Sequence, residues 1–473
     1  MVIQVEERSM KWLSLGTLIA INGVYSVAAA AEHRAASAAE VAALATKLQP
    51  GDVVILANGD WKDQAIVFSG KGTAERPNMF RAETPGKVVL SGRSSVVVDG
   101  EYVVVSGLLL KDGAGTGDGI AIKGRHCRLT ETAVIGGTYK FFVHLFGVEN
   151  RMDHCYLAEK TSESPTLQVE APGEPNRHRI DHNLFGHRPP LGRNGGETMR
   201  VGYSHQSMNN SGTVVEDNLF DRCDGEIEII SSKSCENVYR RNTFLDCAGM
   251  LTLRHGNRCT VEGNFFIAHH KRGSGGIRVI GEDHTIVNNY IDGVEKGAFW
   301  ITSGIPDSPL KGYCRARGCV IAFNTVVDSA GPYLDLSAGF GTSNRSLRPE
   351  NITIANNVFV VASKETLIQG TDGDGFKWLG NFADGDIPLG GEYVGITVTD
   401  LKLTKAKDGL WRPAVDSPVR AAAEGSFRGI EIDIDGQPRK GRFDAGCDQL
   451  SHEPVTSQPL TAGDVGPEWM KSK

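Results

Sequence analysis

The sequence predicts an all-β solenoid, a parallel β-helix, with a short helix capping its N-terminal end. Three observations carry this. First, a four-residue word recurs: HNLF at Asn183, DNLF at Asn218, RNTF at Asn242, GNFF at Asn264, NNYI at Asn289, FNTV at Asn324, NNVF at Asn357 and GNFA at Asn381. The asparagines are 35, 24, 22, 25, 35, 33 and 24 residues apart. Such periods mark solenoids, and the shortest ones are too brief for a propeller blade of about 40 residues. Second, short β-branched runs such as VVVDGEYVVVSGLLL and NITIANNVFVVAS lie between the turns, without helical periodicity. Third, 57 glycines with only 7% aromatic residues suit a turn-rich β chain.

From the N-terminus, Lys11 opens an apolar run, KWLSLGTLIAINGVYSVAAAA, that ends in small residues at Ala28–Ala31. One positive charge, an apolar stretch and a small-residue site read as a secretory signal over residues 1–31 rather than a membrane span. Met10 is an alternative start. The expected destination is the periplasm or the exterior, and no later stretch is long and apolar enough to span a bilayer. Residues 37–48, SAAEVAALATKL, form the expected cap helix: Ser37 and Glu40 make a capping box, and Val41, Leu44 and Leu48 share a face. Strands are expected from Val53. The repeat fades after about Asp400 into a C-terminal wrap, so residues 32–473 are expected to form one domain.

A net charge of −7 argues against nucleic acid as a partner, while leaving room for an anionic polymer if positive charge is gathered locally. The nine cysteines include no CxxC pair, which disfavours a zinc ribbon. Cys223, Cys235, Cys247 and Cys259 recur every twelve residues, a spacing expected of the structural repeat. Cys314 and Cys319 are close enough in sequence for a local disulfide in an oxidising compartment.

Residues 226–234 read EIEIISSKS. Alternate strand residues share a face, so Ile227 and Ile229 are expected inward and Glu226 and Glu228 outward. In MLTLRHG, Leu251 and Leu253 point inward, Thr252 and Arg254 outward. In GGIRVIG, Ile277 and Val279 point inward and Arg278 outward. With a 24-residue coil, Thr252 is expected over Glu228 and Arg278 over Arg254. Asn194, in GRNGGETMR, is expected one coil below the glutamates. Two glutamates and an amide oxygen on one face suit a hard divalent cation such as Ca²⁺. An E-x-E alone is more often a solvated charged face, and Lys233 alone a surface lysine; the convergence of both with Arg254 and Arg278 in adjacent coils favours a site. Glu197 and Arg200 either reach it or buttress the NGGE loop. His269 and His270 are adjacent, so their side chains diverge on a strand and a loop role is expected.

NGGETMRVG, DGEIEIISSKS, LRHG and GGIRVIG, in this order, resemble the motifs of polysaccharide lyase family 6, which includes alginate lyases and the dermatan-cleaving chondroitinase B. The early GTAERPNMFRAETPGKVVLSG stretch extends the similarity, which weakens after about residue 390. The resemblance implies a right-handed parallel β-helix that cleaves uronate polysaccharides by β-elimination, usually with Ca²⁺. It implies Asn194, Glu226 and Glu228 as calcium ligands, Lys233 and Arg254 as catalytic residues, and His255 and Arg278 as substrate contacts. Arg188, in HRPPLG, is a further candidate for holding a substrate carboxylate. Guanidinium gives up a proton reluctantly, so Arg254 is expected to stabilise charge while water or His255 delivers the proton. Alginate is the expected substrate. The alternatives are a dermatan sulfate lyase, a hydrolase with paired aspartates, and a non-catalytic carbohydrate-binding β-helix.

Overall fold

Each asparagine of the repeat is fully buried and follows a residue in the left-handed region, with φ between 52° and 62° from His182 to Gly380. A non-glycine residue in that conformation costs about 1–2 kcal/mol, so the turn needs compensation. The asparagine supplies it. Asn218 Oδ1 accepts from Asn183 N at 3.0 Å and from Asn183 Nδ2 at 2.9 Å, and its own Nδ2 donates to Ile180 O at 2.8 Å. Several buried hydrogen bonds, each worth about 1 kcal/mol net, offset the backbone strain. The same links run through Asn242, Asn264, Asn289, Asn324 and Asn357 to Asn381.

The computed structural model describes residues 30–360, 366–385 and 387–471. The expected signal segment lies outside these residues, apart from its last two. Among the described residues the chain forms a right-handed parallel β-helix of three sheets, with 14, 12 and 14 strands. Each full coil contributes one strand per sheet, and inward side chains stack in columns. One column holds Phe185, Phe220, Phe244 and Phe266, with successive ring centroids 4.7, 4.7 and 4.5 Å apart. These are the phenylalanines of NLF, NLF, NTF and NFF, so the repeated word encodes turn and core together.

The cap helix spans Ala38–Ala45 and is shorter than expected, because Thr46 already ends it. Glu40 N donates to Ser37 Oγ at 3.3 Å, and Glu40 Oε2 accepts from Ala36 N at 2.8 Å. Val41 is buried, closing the first coil, with Leu44 and Leu48 packed partly against the same core. Cys223, Cys235, Cys247 and Cys259 are all buried in the stack. Cys314 is exposed and Cys319 buried, and the two are unbonded, so the disulfide their spacing allows is not formed.

After Leu401 the chain forms an antiparallel hairpin, Leu403–Lys405 with Trp411–Pro413, and packs on the outside of the third sheet. It then runs back along the solenoid. Leu460 N donates to Thr243 Oγ1 (2.8 Å), Gly466 N to His182 O (2.9 Å) and Trp469 Nε1 to Glu131 O (2.9 Å). Among the described residues no helix is long and apolar enough to cross a membrane.

Candidate active site

The second sheet presents one outward row along the axis: Gln168, Arg200, Ser231, Thr252, Arg278 and Trp300, one residue per coil. This corrects the expected stacking. Thr252 lies over Ser231, not Glu228, and Arg278 lies over Thr252, not Arg254. The coils here are unequal in length: Thr252 follows its partner Ser231 by 21 residues and Arg278 follows Thr252 by 26. Two bulges add local slips: Glu228 pairs with Met250 and Ile230 with Leu251, then Ser232 pairs with Leu253 and Lys233 with His255. Ile229 is therefore an extra residue on one strand and Arg254 on the next. Ile230 takes an inward place while Ile227 is only half-buried. Bulges re-aim side chains beside functional sites, and here they gather the charged groups.

Glu226 and Glu228 converge with a third carboxylate, Glu197, their nearest oxygens lying within 4.8 Å of one another. Glu228 is buried, and its Oε2 accepts from Ser231 Oγ at 2.5 Å. Its Oε1 faces Arg254 Nε at 3.7 Å and Arg278 Nη1 at 3.8 Å. Glu197 Oε1 lies 3.6 Å from Arg200 Nη1 and 3.9 Å from Lys233 Nζ. Burial, then repulsion from Glu197 and Glu228, pushes the Glu226 carboxyl up to about 8. Glu197 Oε2 and Glu226 Oε1 are buried without a hydrogen-bond partner. Partnerless anionic oxygens converging on one point fit a hard divalent cation, which takes oxygen ligands in any mixture of carboxylate, amide and water.

Lys233 sits at the edge of this trio. Burial lowers its affinity for a proton, Glu228 and Glu197 raise it, and Arg200 and Arg254 lower it again; the net shift is downward. His255 is buried, and burial with the neighbouring Arg254 and Lys233 charges pushes it down to about 3. That leaves the imidazole neutral near neutral pH.

Of the residues singled out in the sequence, Glu226, Glu228, Lys233, Arg254, His255 and Arg278 come together. Asn194 is exposed on the loop before Glu197, and the backbone of the next residue, Gly195, favours the charged form of Glu226. Arg188 does not face this surface. It is 2% exposed, and its guanidinium donates to the carbonyls of Lys160, Ser162 (3.0 Å), Ser164 (3.2 Å) and Gly196 (3.3 Å). Those bonds tie the 160–164 loop to the loop carrying Asn194 and Glu197, correcting its reading as a substrate contact. His269 and His270 pair with Asp246 and Asp328 at 2.9 Å each, away from the trio, on left-handed loop backbone.

Glu197, Tyr313 and Arg345 complete the surroundings. Glu197 stands inside a quoted motif, so its carboxylate was a visible candidate. Tyr313 and Arg345 come from the inserts of two long coils, and no periodic signal marks them. The Tyr313 ring centroid lies 4.1 Å from Arg254 Cζ, 4.7 Å from Arg345 Cζ and 5.7 Å from Arg278 Cζ.

The outward face of the parallel β-helix thus combines a carboxylate trio, a lysine of lowered proton affinity and two arginines. Known proteins share this architecture. The Chondroitinase B family model matches residues 35–433. A mannuronic acid specific polysaccharide family 6 lyase from human gut microbiota is 33% identical, with a TM-score of 0.69 over 78% of this chain and 91% of that one. The family 6 alginate lyase AlyGC is also 33% identical, with a TM-score of 0.81 over 93% of this chain; the chain spans only 59% of that protein's length. A family 6 polysaccharide lyase from Pseudopedobacter saltans is 25% identical over 92% of this chain and 99% of its own, with a TM-score of 0.71. No protein of curated description matches. The chain belongs to polysaccharide lyase family 6.

Proposed function

We propose that this protein is an exported, calcium-assisted lyase that cleaves alginate by β-elimination. The observation that carries the reading is the placement of Lys233 beside the Glu197–Glu226–Glu228 trio, with Arg254 and Arg278 reaching the same carboxylate, Glu228. Relatives at 33% identity are an alginate lyase and a mannuronic acid specific lyase, which supports a uronan as substrate. The apolar N-terminal run supports export to the periplasm or beyond.

Glu226, Glu228 and Glu197, with the Asn194 side-chain oxygen, would hold the calcium ion. Bound there, Ca²⁺ would neutralise the uronate carboxylate and stabilise the charge that develops beside it. Lys233, in its neutral form, takes the C5 proton. The C5–H electrons form the C4–C5 double bond, the C4–O bond breaks, and water protonates the departing oxygen. Arg254 and Arg278 hold negative charge without giving up a proton, as guanidinium requires. We assign Arg188 to holding the ligand loop and leave the sugar to the outward arginines.

The match to the Chondroitinase B model keeps dermatan sulfate as the second reading. The test is ultraviolet absorbance over time on polyguluronate, polymannuronate and dermatan sulfate, with calcium and then with chelator. Elimination leaves an absorbing unsaturated uronate, whereas hydrolysis leaves only a reducing end. A rise on an alginate block that chelator abolishes supports the proposal in full. A rise confined to dermatan sulfate selects the second reading, and silence on all three overturns both.

A further inference from the structure

Arg254 is weakly held by its own sheet. Its contact with Glu228 is 3.7 Å, beyond hydrogen-bond length. Its short contacts come instead from the insert between the Phe299–Thr302 and Val320–Ala322 strands: Nη1 donates to Gly312 O at 2.9 Å, and Cζ stands 4.1 Å from the Tyr313 ring centroid. That insert closes on itself, with Ile305 N donating to Tyr313 O at 2.9 Å. It is also joined to the next coil's insert. Gly304 and Leu347 exchange both backbone hydrogen bonds, at 2.8 and 2.9 Å, in an antiparallel bridge. The second insert brings Arg345 to 4.7 Å from the same ring.

We propose that Tyr313 is a positioning residue for Arg254: its ring fixes the guanidinium over the carboxylate trio, and the Gly304–Leu347 bridge locks the two inserts that hold the ring. The proposal rests on the lyase reading above. Three guanidinium groups around one ring repel one another, and the electron-rich ring face is the common element that attracts each of them. The arrangement also explains why an arginine displaced from its ladder by a bulge nevertheless has a defined place. The bulge frees it from its coil, and the insert captures it. A guanidinium loose by about 1 Å loses on the order of a hundredfold in rate, so the effect belongs in kcat.

Tyr313→Phe keeps the ring and removes the hydroxyl, whereas Tyr313→Leu removes the ring. On whichever uronan the wild type cleaves, Tyr313→Leu is expected to lower kcat roughly tenfold or more with a much smaller change in KM. Tyr313→Phe is expected to restore most of that loss. In an Arg254→Ala background, Tyr313→Leu should cost nothing further, because the residue it positions has gone. A Tyr313→Phe enzyme as slow as Tyr313→Leu would overturn the proposal by showing that the hydroxyl does chemistry. Wild-type kcat in Tyr313→Leu, or an additive loss without Arg254, would overturn it too. A readout independent of turnover is the Arg254 Nε–H resonance, assigned from its loss in Arg254→Lys. Ring current should displace it equally in wild type and Tyr313→Phe, and release it in Tyr313→Leu. No displacement in the wild type refutes the stack, whereas silence of the wild type on every uronan refutes the lyase reading and leaves the resonance to decide the positioning.

Discussion

Glu197 turns one carboxylate oxygen toward Lys233, 3.9 Å from its Nζ, while its other oxygen is buried without a partner beside Glu226 and Glu228. One residue thus faces both the proton acceptor and the cation position. Glu197→Gln keeps the shape and removes a charge. In the cation-free protein this relieves repulsion among three carboxylates, so the melting temperature should rise. Calcium affinity, read by calorimetry, should fall at least about tenfold, since ligand charge sets affinity at such sites. A mutant that binds calcium as tightly as the wild type would remove Glu197 from the ligand set.

Lys233→Met retains most of the aliphatic stem and deletes the amine. The ultraviolet assay should show kcat lower by about 10²–10⁴, the usual worth of a positioned base. Calcium binding should survive, because Lys233 contributes no ligand oxygen. Loss of calcium binding along with turnover would mean that the lysine shapes the trio rather than reacting.

Stability should decline in mild acid. His178 and His284 are fully buried, and burial pushes both down to about 4 from an ordinary 6.5. Each accepts a backbone N–H at Nδ1, from Asn150 and Cys259 respectively, at 3.1 Å. Between those values the unfolded chain takes up protons that the fold refuses. Their contribution is therefore complete above 6.5 and is lost as the pH falls toward 4. Urea midpoints at pH 7 and pH 5 should show the drop, and His284→Gln should show a smaller one.

Asn264→Ala tests the turn ladder. It removes the acceptor for Asn242 N and Nδ2, both at 3.0 Å, and the donor to Tyr239 O at 2.9 Å. Buried groups left unpaired cost about 1–3 kcal/mol each, so denaturation should register a loss of at least about 3 kcal/mol. A loss below 1 kcal/mol, on the order of one exposed hydrogen bond, would mean that water replaces the ladder.

How far the sequence reveals this molecule depends on periodicity. The buried asparagines and the phenylalanine column recur because every coil meets the same turn and the same interior, so both can be read directly. Glu226, Glu228 and Lys233 are legible because they occupy one short segment whose alternation is visible. The register between coils is less so: Ser231, Thr252 and Arg278 pair at separations of 21 and 26 residues, which a constant 24-residue period conceals, and bulges at Ile229 and Arg254 add one-residue slips. Tyr313 and Arg345 escape altogether, since inserts depart from the repeat and meet only in three dimensions. Arg188 misleads for another reason. A buried arginine bonded to four carbonyls looks, in sequence, like one waiting for an anion.

The returning C-terminal segment alters how the whole stack comes apart. A bare solenoid behaves as a row of neighbours, so its terminal coils fray while the middle persists. Here Trp469 bonds near the first coils and Leu401 is buried against the last, with Leu460 and Gly466 fastened between. Opening either end therefore requires peeling a strap that grips the other, and the array behaves as a barrel hooped by its own tail.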